Sequence, residues 1–186
     1  MRTVHVTTEL PAPRDRVWQA MQHPASFLYV IRGLLGVPTL AGRTDPVAAG
    51  EAVSGWILLF HVVPLHRHHI RVVAVDAGTG TIRTEERGGV LRRWDHVLRV
   101  EPLGEGTCRY GDTIEIDAGW LTPAVAALAT VLYRYRQRRW RRLARRHLHA
   151  VPERRRRVDN ARHAAPTEQP SRHGVSPRRG SGRVPP

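Results

Sequence analysis

Residues 51–117 constrain the fold most, because they form a run of short segments separated by tight-turn signals. The segments alternate between apolar and polar residues and are rich in Val, Ile and Thr, as half-buried strands are. Turns are predicted at Pro64, at residues 77–80 (AGTG), at Gly88–Gly89 and at residues 104–106 (GEG). Because strands joined by such short turns pair as antiparallel neighbours, the region predicts one curved antiparallel sheet.

The segment before this region adds a first strand and two short helices. Residues 2–10 alternate and are rich in β-branched residues, which predicts a strand. The next segment predicts a helix whose apolar stripe is Val17, Trp18 and Met21, and Pro24 is expected to end it. A second short helix is predicted over residues 25–31.

The clearest helix follows the sheet, over residues 121–147. Thr122 is expected to cap it, and Pro123 suits its first turn. At 1.5 Å per residue it spans roughly 35–40 Å, enough to cross a small sheet. Its predicted apolar stripe is Val125, Leu128, Ala129, Leu132, Tyr135 or Arg136, Trp140 and Leu143. The fold class predicted is therefore α+β.

The formal net charge of +14 is confined to the end of the chain. Residues 1–133 contain 13 Arg and 13 acidic residues, whereas residues 134–186 contain 17 Arg and 3 acidic residues. Residues 151–186 are rich in Arg, Pro, Ser and Gly and lack aromatic residues, so we expect a disordered basic tail after one domain over 1–150. The single cysteine excludes a disulfide framework, and we expect a cytoplasmic protein.

Three segments resemble the START-like superfamily, also called SRPBCC or helix-grip. They are VHVTTELPAPRDRVWQAMQHPASF (4–27), GGVLRRWDHVLRVEPLGEGTCRYGDTIEID (88–117) and YRYRQRRWRRLA (133–144), and the resemblance extends over about 2–148. It implies a curved sheet wrapped around a long C-terminal helix, with two short helices after the first strand. It also implies a cavity between sheet and helix for a hydrophobic or amphipathic small molecule.

The strand faces expected to turn inward supply the candidate ligand-binding residues. The segment RRWDHVLRV (92–100) carries an imidazole on its apolar face, and the neighbouring strands add carboxylates and a phenol. With two leucines of the last helix, the candidates are Trp94, His96, Leu98, Tyr110, Asp112, Ile114, Thr84, Glu86, His68, Leu128 and Leu132.

Three roles are open to His96: a satisfied core residue, a ligand contact or a catalytic base. We expect ligand binding, with Asp112 or Glu86 orienting the imidazole. The alternative is an aromatic polyketide cyclase or dehydratase, in which the candidate catalytic residues are His96, Asp112 and Glu86. Residues His66 and His68 share a strand face, but no third ligand is fixed beside them, so we predict no metal and no cofactor.

The arginine-rich end, residues 134–157, has two interpretations. Most of the eight arginines in 134–146 are expected to face solvent. Contact with an anionic membrane is the functional interpretation, and it suits a carrier of lipophilic cargo. Nucleic-acid binding is disfavoured by the neutral domain and the missing aromatic residues of the tail. The sequence leaves the oligomeric state open.

Overall fold

The alternating segments form a single seven-stranded antiparallel sheet in the computed structural model, which describes residues 1–149. Along the sheet the strand order is β1-β7-β6-β5-β4-β3-β2. In chain order the elements are β1 (Arg2–Leu10), α1 (Arg14–Gln22), α2 (Pro24–Ile31), β2 (Leu35–Gly36), β3 (Ala52–Leu59), β4 (Val63–Asp76), β5 (Thr81–Gly88), β6 (Leu91–Gly104), β7 (Thr107–Asp117) and α3 (Thr122–Leu143). The predicted α+β class, with two short helices after the first strand and a long C-terminal helix, is confirmed.

The turns predicted at glycine-containing segments are formed, whereas the turn predicted at Pro64 is not. Gly80 ends the β4–β5 turn at φ +66°, and a Cβ there would lie 2.4 Å from the carbonyl oxygen of Val100, so only glycine fits. The prediction of a turn at Pro64 was wrong, because Pro64 lies within β4. The chain instead reverses through Phe60 and His61, both with positive φ.

A β-bulge in β4 changes which of its residues face the helix. The register of β4 against β5 shifts between Val72 and Ala74. Val72 pairs with Thr84 and is buried, whereas beyond the bulge Val75 pairs with Ile82 and packs on the core. Because of the bulge, the strict alternation from Val72 to Ala74 is broken at this point of β4.

The buried face of α3 is rotated from the predicted stripe. Its buried residues are Thr122, Ala126, Ala129, Tyr133, Arg136, Gln137 and Trp140. Two alanines on this face let the helix approach β1 closely. Leu128 and Val131 are consequently exposed, at 69% and 64%. Thr122 does not cap α3 through its side chain; its hydroxyl closes the preceding turn, accepting from the Ala118 amide and donating to the Gly119 carbonyl.

Two clusters of buried apolar side chains lie between the sheet and the helices. One includes Val4, Trp94 and Tyr133 under the first half of α3. The other joins α1 and α2 to the second half of α3 and contains Trp18, Val30 and Trp140. No helix among residues 1–149 is both long and apolar enough to cross a membrane. The predicted tail, 151–186, lies outside the described residues.

Candidate functional site

A cavity of about 110 Å³ lies between the concave face of the sheet and the helices. Strands β3 to β6 form its floor, and α1, α2 and one residue of α3 close it. The apolar residues of its wall are Met21, Pro24, Phe27, Leu40, Val47, Val53, Ile70, Val72, Ile82 and Leu98. The polar residues are His23, Arg43, Glu51, Thr84, Glu86, His96 and Arg136.

Four of the eleven predicted ligand-binding residues line this cavity. They are Thr84, Glu86, His96 and Leu98, from the adjacent strands β5 and β6. His96 is only 4% exposed, so its imidazole is inside the fold. These four residues share the inward face because Thr84 pairs directly with His96 across the two strands.

Trp94, Tyr110, Asp112 and Ile114 are buried, but they do not line the cavity. The reason is the position of α3, which packs on β1 and β7 and fills the space over that side of the sheet. Trp94 stacks on Tyr133 of the helix, with ring centroids 6.3 Å apart. These four residues are therefore not part of the cavity wall, and their contact with a ligand stays a prediction.

The other three predicted residues also lie outside the cavity wall. Leu128 is on the exposed side of α3, because the helix is rotated from the predicted stripe. Leu132 is half-buried and does not line the cavity either. His68 is buried behind Glu86, to which its imidazole is hydrogen-bonded.

Asp112 binds the imidazole of His96 from beneath the cavity. Its Oδ1 lies 2.9 Å from Nε2 of His96 and accepts a hydrogen bond of 2.9 Å from the Tyr110 hydroxyl. Gln137 of α3 donates to its Oδ2 at 3.4 Å. The predicted pairing of Asp112 with His96 is thus formed, between neighbouring strands and away from the cavity surface.

The carboxylate of Asp112 is held in its charged form. Complete burial by itself would raise the pKa of Asp112, but the charge of Arg136 and the hydrogen bonds from His96 and Tyr110 outweigh it and lower that pKa. Asp112 is therefore ionised at neutral pH, although its side chain is fully buried.

Glu86 is the second buried carboxylate, and both of its oxygens are occupied. His68 Nε2 lies 2.8 Å from Oε2, and the Thr84 hydroxyl donates to Oε1 at 2.7 Å. Burial raises the pKa of Glu86, but the hydrogen bond from His68 and the neighbouring imidazoles lower it overall. On its other side His68 contacts His66, with Nδ1 and Nε2 3.2 Å apart.

Arg136 lines the cavity, although the sequence named it only as an alternative to Tyr135 in the helix stripe and not as a candidate site residue. Its side chain is 5% exposed and lies over the rings of Tyr133 and Phe27, at 4.6 Å and 5.6 Å. Burial by itself would lower the pKa of Arg136. Asp112 and the other acidic groups nearby favour the charged guanidinium and raise that pKa overall. The residue lies three positions after Tyr133 and four before Trp140, so helical spacing marks it as different from its exposed arginine neighbours.

The guanidinium of Arg136 is incompletely hydrogen-bonded. Its Nε has no hydrogen-bond partner within residues 1–149. Its Nη2 lies 4.0 Å from Oδ1 of Asp112, which is an ion pair beyond hydrogen-bond length. An unpaired buried donor costs about 1–3 kcal/mol, and more when the group is charged.

The more exposed residues of the cavity wall include His23 before α2 and residues of the loop that precedes β3. Arg43 and Glu51 form an ion pair in this part of the wall, and His23 beside them is exposed. Val47 and Val53 contribute apolar side chains to the same part of the wall.

The residues that the structure describes contain no group of three or more His, Cys, Asp or Glu arranged to hold a metal ion. His69 is on the opposite face of β4 from His68 and contacts Ser54 at 2.6 Å. The lone cysteine, Cys108, is buried, and burial raises the pKa of its thiol to about 11.

The model of a protein family described as a domain of unknown function (DUF8410) matches residues 8–147. The chain belongs to this family. The match includes all the elements that line the cavity, from α1 to α3. No curated protein sequence matches the DUF8410 chain.

Solved structures with the same architecture show which fold this DUF8410 member has. A START superfamily protein from Mycobacterium smegmatis is 14% identical, with a TM-score of 0.59 over 77% of this chain and 97% of that one. The Zhui aromatase/cyclase from Streptomyces sp. R1128 is 15% identical, with a TM-score of 0.60 over 81% and 98%. Norcoclaurine synthase from Thalictrum flavum, in complex with dopamine and hydroxybenzaldehyde, is 15% identical, with a TM-score of 0.60 over 78% and 87%. The fold is the START-like helix-grip fold.

Proposed function

We propose that this protein binds a small hydrophobic or amphipathic molecule in the cavity between the sheet and α3. One observation carries the proposal: the inward faces of β3 to β6 leave a space with mostly apolar walls and several polar groups. Ligand sites commonly combine these two features. A space lined in this way attracts an apolar guest, because burying the guest removes apolar surface from water.

The size of the cavity limits the part of the ligand that enters it. An engineered apolar cavity of about 150 Å³ holds one benzene ring. The cavity here, about 110 Å³, therefore suits a group no larger than a single ring unless the wall moves. A folded polyketone chain needs more space than this.

The alternative function, a cyclase or dehydratase, requires a polar group that is free to move a proton. Nε2 of His96 is engaged by Asp112, and Nδ1 lies 3.4 Å from the Tyr133 hydroxyl and 3.9 Å from Glu86 Oε1. Both nitrogens of the imidazole thus face protein groups. This arrangement favours binding over proton transfer.

Carriage of the ligand would require contact with the surface that supplies it, and α3 has a suitable exposed side. Leu128 and Val131 are exposed there, and Trp120 just before the helix is 89% exposed. Arg134 and Arg138 continue the same side of the helix. Apolar side chains beside cations suit an anionic membrane, so we include membrane contact in the proposal. Residues 150–157 of the predicted basic end lie outside the described part of the chain.

Filling the cavity tests the binding proposal. We expect Leu98→Phe to abolish the binding of toluene, measured by calorimetric titration, because the added ring occupies the space that the ligand needs. The control is Leu91→Phe on the same strand, a half-buried leucine that packs on the other cluster and does not line the cavity. Toluene binding by the Leu98→Phe variant at wild-type affinity, with an unchanged fold, would contradict the proposal.

A further inference from the structure

We infer that the ligand carries a carboxylate, which Arg136 binds inside the cavity. This inference rests on the proposed function and names the chemical class of its ligand. Arg136 lines the cavity as a charged guanidinium, and its Nε has no hydrogen-bond partner in the described part of the chain. A guanidinium has five N–H donors and matches a carboxylate with two parallel hydrogen bonds.

Asp112 does not accept a hydrogen bond from Arg136. Its Oδ1 is shared by His96 and Tyr110 at 2.9 Å each, whereas Nη2 of Arg136 is 4.0 Å away. Asp112 therefore balances part of the charge of Arg136 and leaves its Nε without an acceptor among residues 1–149. A ligand carboxylate would supply that acceptor.

Glu86 also lines the cavity, and a free carboxylate there would favour a cationic ligand. Both oxygens of Glu86 accept hydrogen bonds, from His68 and from Thr84. A cationic ligand would have to compete with those donors, and it would also face Arg136. Among the described residues that line the cavity, Arg136 is the one whose charged group has a fully buried hydrogen-bonding atom without a partner.

The apolar wall next to Arg136 indicates the rest of the ligand. The guanidinium lies 5.6 Å from the ring of Phe27, and Leu98 and Ile82 line the same space. The volume of about 110 Å³ limits the apolar part of the ligand to no more than a single ring. The buried indole Nε1 of Trp140 also lacks a partner in the part of the chain that the structure describes, but Trp140 packs on Tyr110 and does not line the cavity.

The test compares three probes of nearly equal shape: toluene, benzamide and benzoate. Calorimetric titration of the full chain is expected to give at least about tenfold tighter binding for benzoate than for benzamide, since only benzoate brings a charge-assisted pair to Arg136. In Arg136→Gln we expect this preference to disappear while toluene still binds. Arg138→Gln, which removes an exposed arginine of the same helix, is expected to keep the preference.

Each outcome decides one of the two proposals. Toluene binding without any preference for benzoate in the wild type would overturn the carboxylate inference and leave the binding proposal standing. Failure of all three probes to bind would overturn the binding proposal and the inference with it. Should Arg136→Gln not fold, Arg136→Lys is the second variant: it keeps the charge but loses the two-pronged geometry, so it is expected to reduce the preference for benzoate. An undiminished preference in that variant would contradict the paired hydrogen bonds.

Discussion

At the scale of single residues, the interior of this protein depends on how its buried charges are satisfied. Asp112 is fully buried and receives hydrogen bonds from a strand neighbour, a phenol and the helix. Because its hydrogen-bond donors come from β6, β7 and α3, Asp112 connects the sheet to the helix. Its loss should therefore weaken the whole fold.

Asp112→Asn is expected to lower the free energy of unfolding by about 3–5 kcal/mol, because it removes one partner of a buried charged pair. The matched control is Asp95→Asn on the outer face of β6, whose half-exposed ion pair with Arg93 should contribute no more than about 1 kcal/mol. Urea unfolding followed by circular dichroism measures both. Equal losses in the two variants would contradict the role given to Asp112.

The same carboxylates predict the response to acid. The pKa values of Asp112 and Glu86 are lowered in the fold, so the stability they contribute is fully present above their unfolded pKa values, near pH 4. That stability is lost as the pH falls through the lower folded values. The urea concentration at half-unfolding of the wild type should therefore decrease as the pH is lowered below about 4. In Asp112→Asn the same decrease should be less steep.

At the scale of elements, α3 has two different sides. Its buried side holds Arg136 over the cavity, and its exposed side carries Leu128 and Val131. Single exposed leucines and valines are common on helices, but here an exposed Trp120 precedes the same helix and exposed arginines follow on it. This combination is the basis of the proposed membrane contact.

The double variant Leu128→Asp/Val131→Asp should reduce binding to vesicles that contain phosphatidylserine, because it removes the apolar contact and adds negative charge. Flotation with anionic and neutral vesicles measures the effect. Leu103→Asp, an exposed leucine of the β6–β7 hairpin, is the control and should bind as the wild type does. Undiminished binding by the double variant would exclude this side of α3 as the contact.

Helix α3 also shows where prediction from the sequence ends. Its existence and its first-turn proline follow from local pattern. Its rotation depends on how closely two alanines, Ala126 and Ala129, let it approach β1, and a hydrophobic stripe cannot reveal that distance. The prediction therefore placed Leu128 on the buried side and left open whether Tyr135 or Arg136 lies there.

At the scale of the whole molecule, the sheet and its antiparallel order could be predicted because period-two alternation and glycine turns are local signals. The inward positions of His96 and Glu86 followed from the same alternation. The sequence could not predict which half of the concave face is packed against α3 and which half lines the cavity. That division depends on where α3 crosses the sheet. For that reason Asp112 and Trp94 lie in the half that is packed against α3.

The central claim is that an apolar hollow persists between the sheet and the helices in the folded protein. The most direct measurement is a crystal structure determined under xenon pressure, because xenon enters dry apolar cavities of this kind. We predict a xenon atom between Phe27, Ile82 and Leu98. Side chains packed through that space, with xenon bound only elsewhere or not at all, would contradict the account.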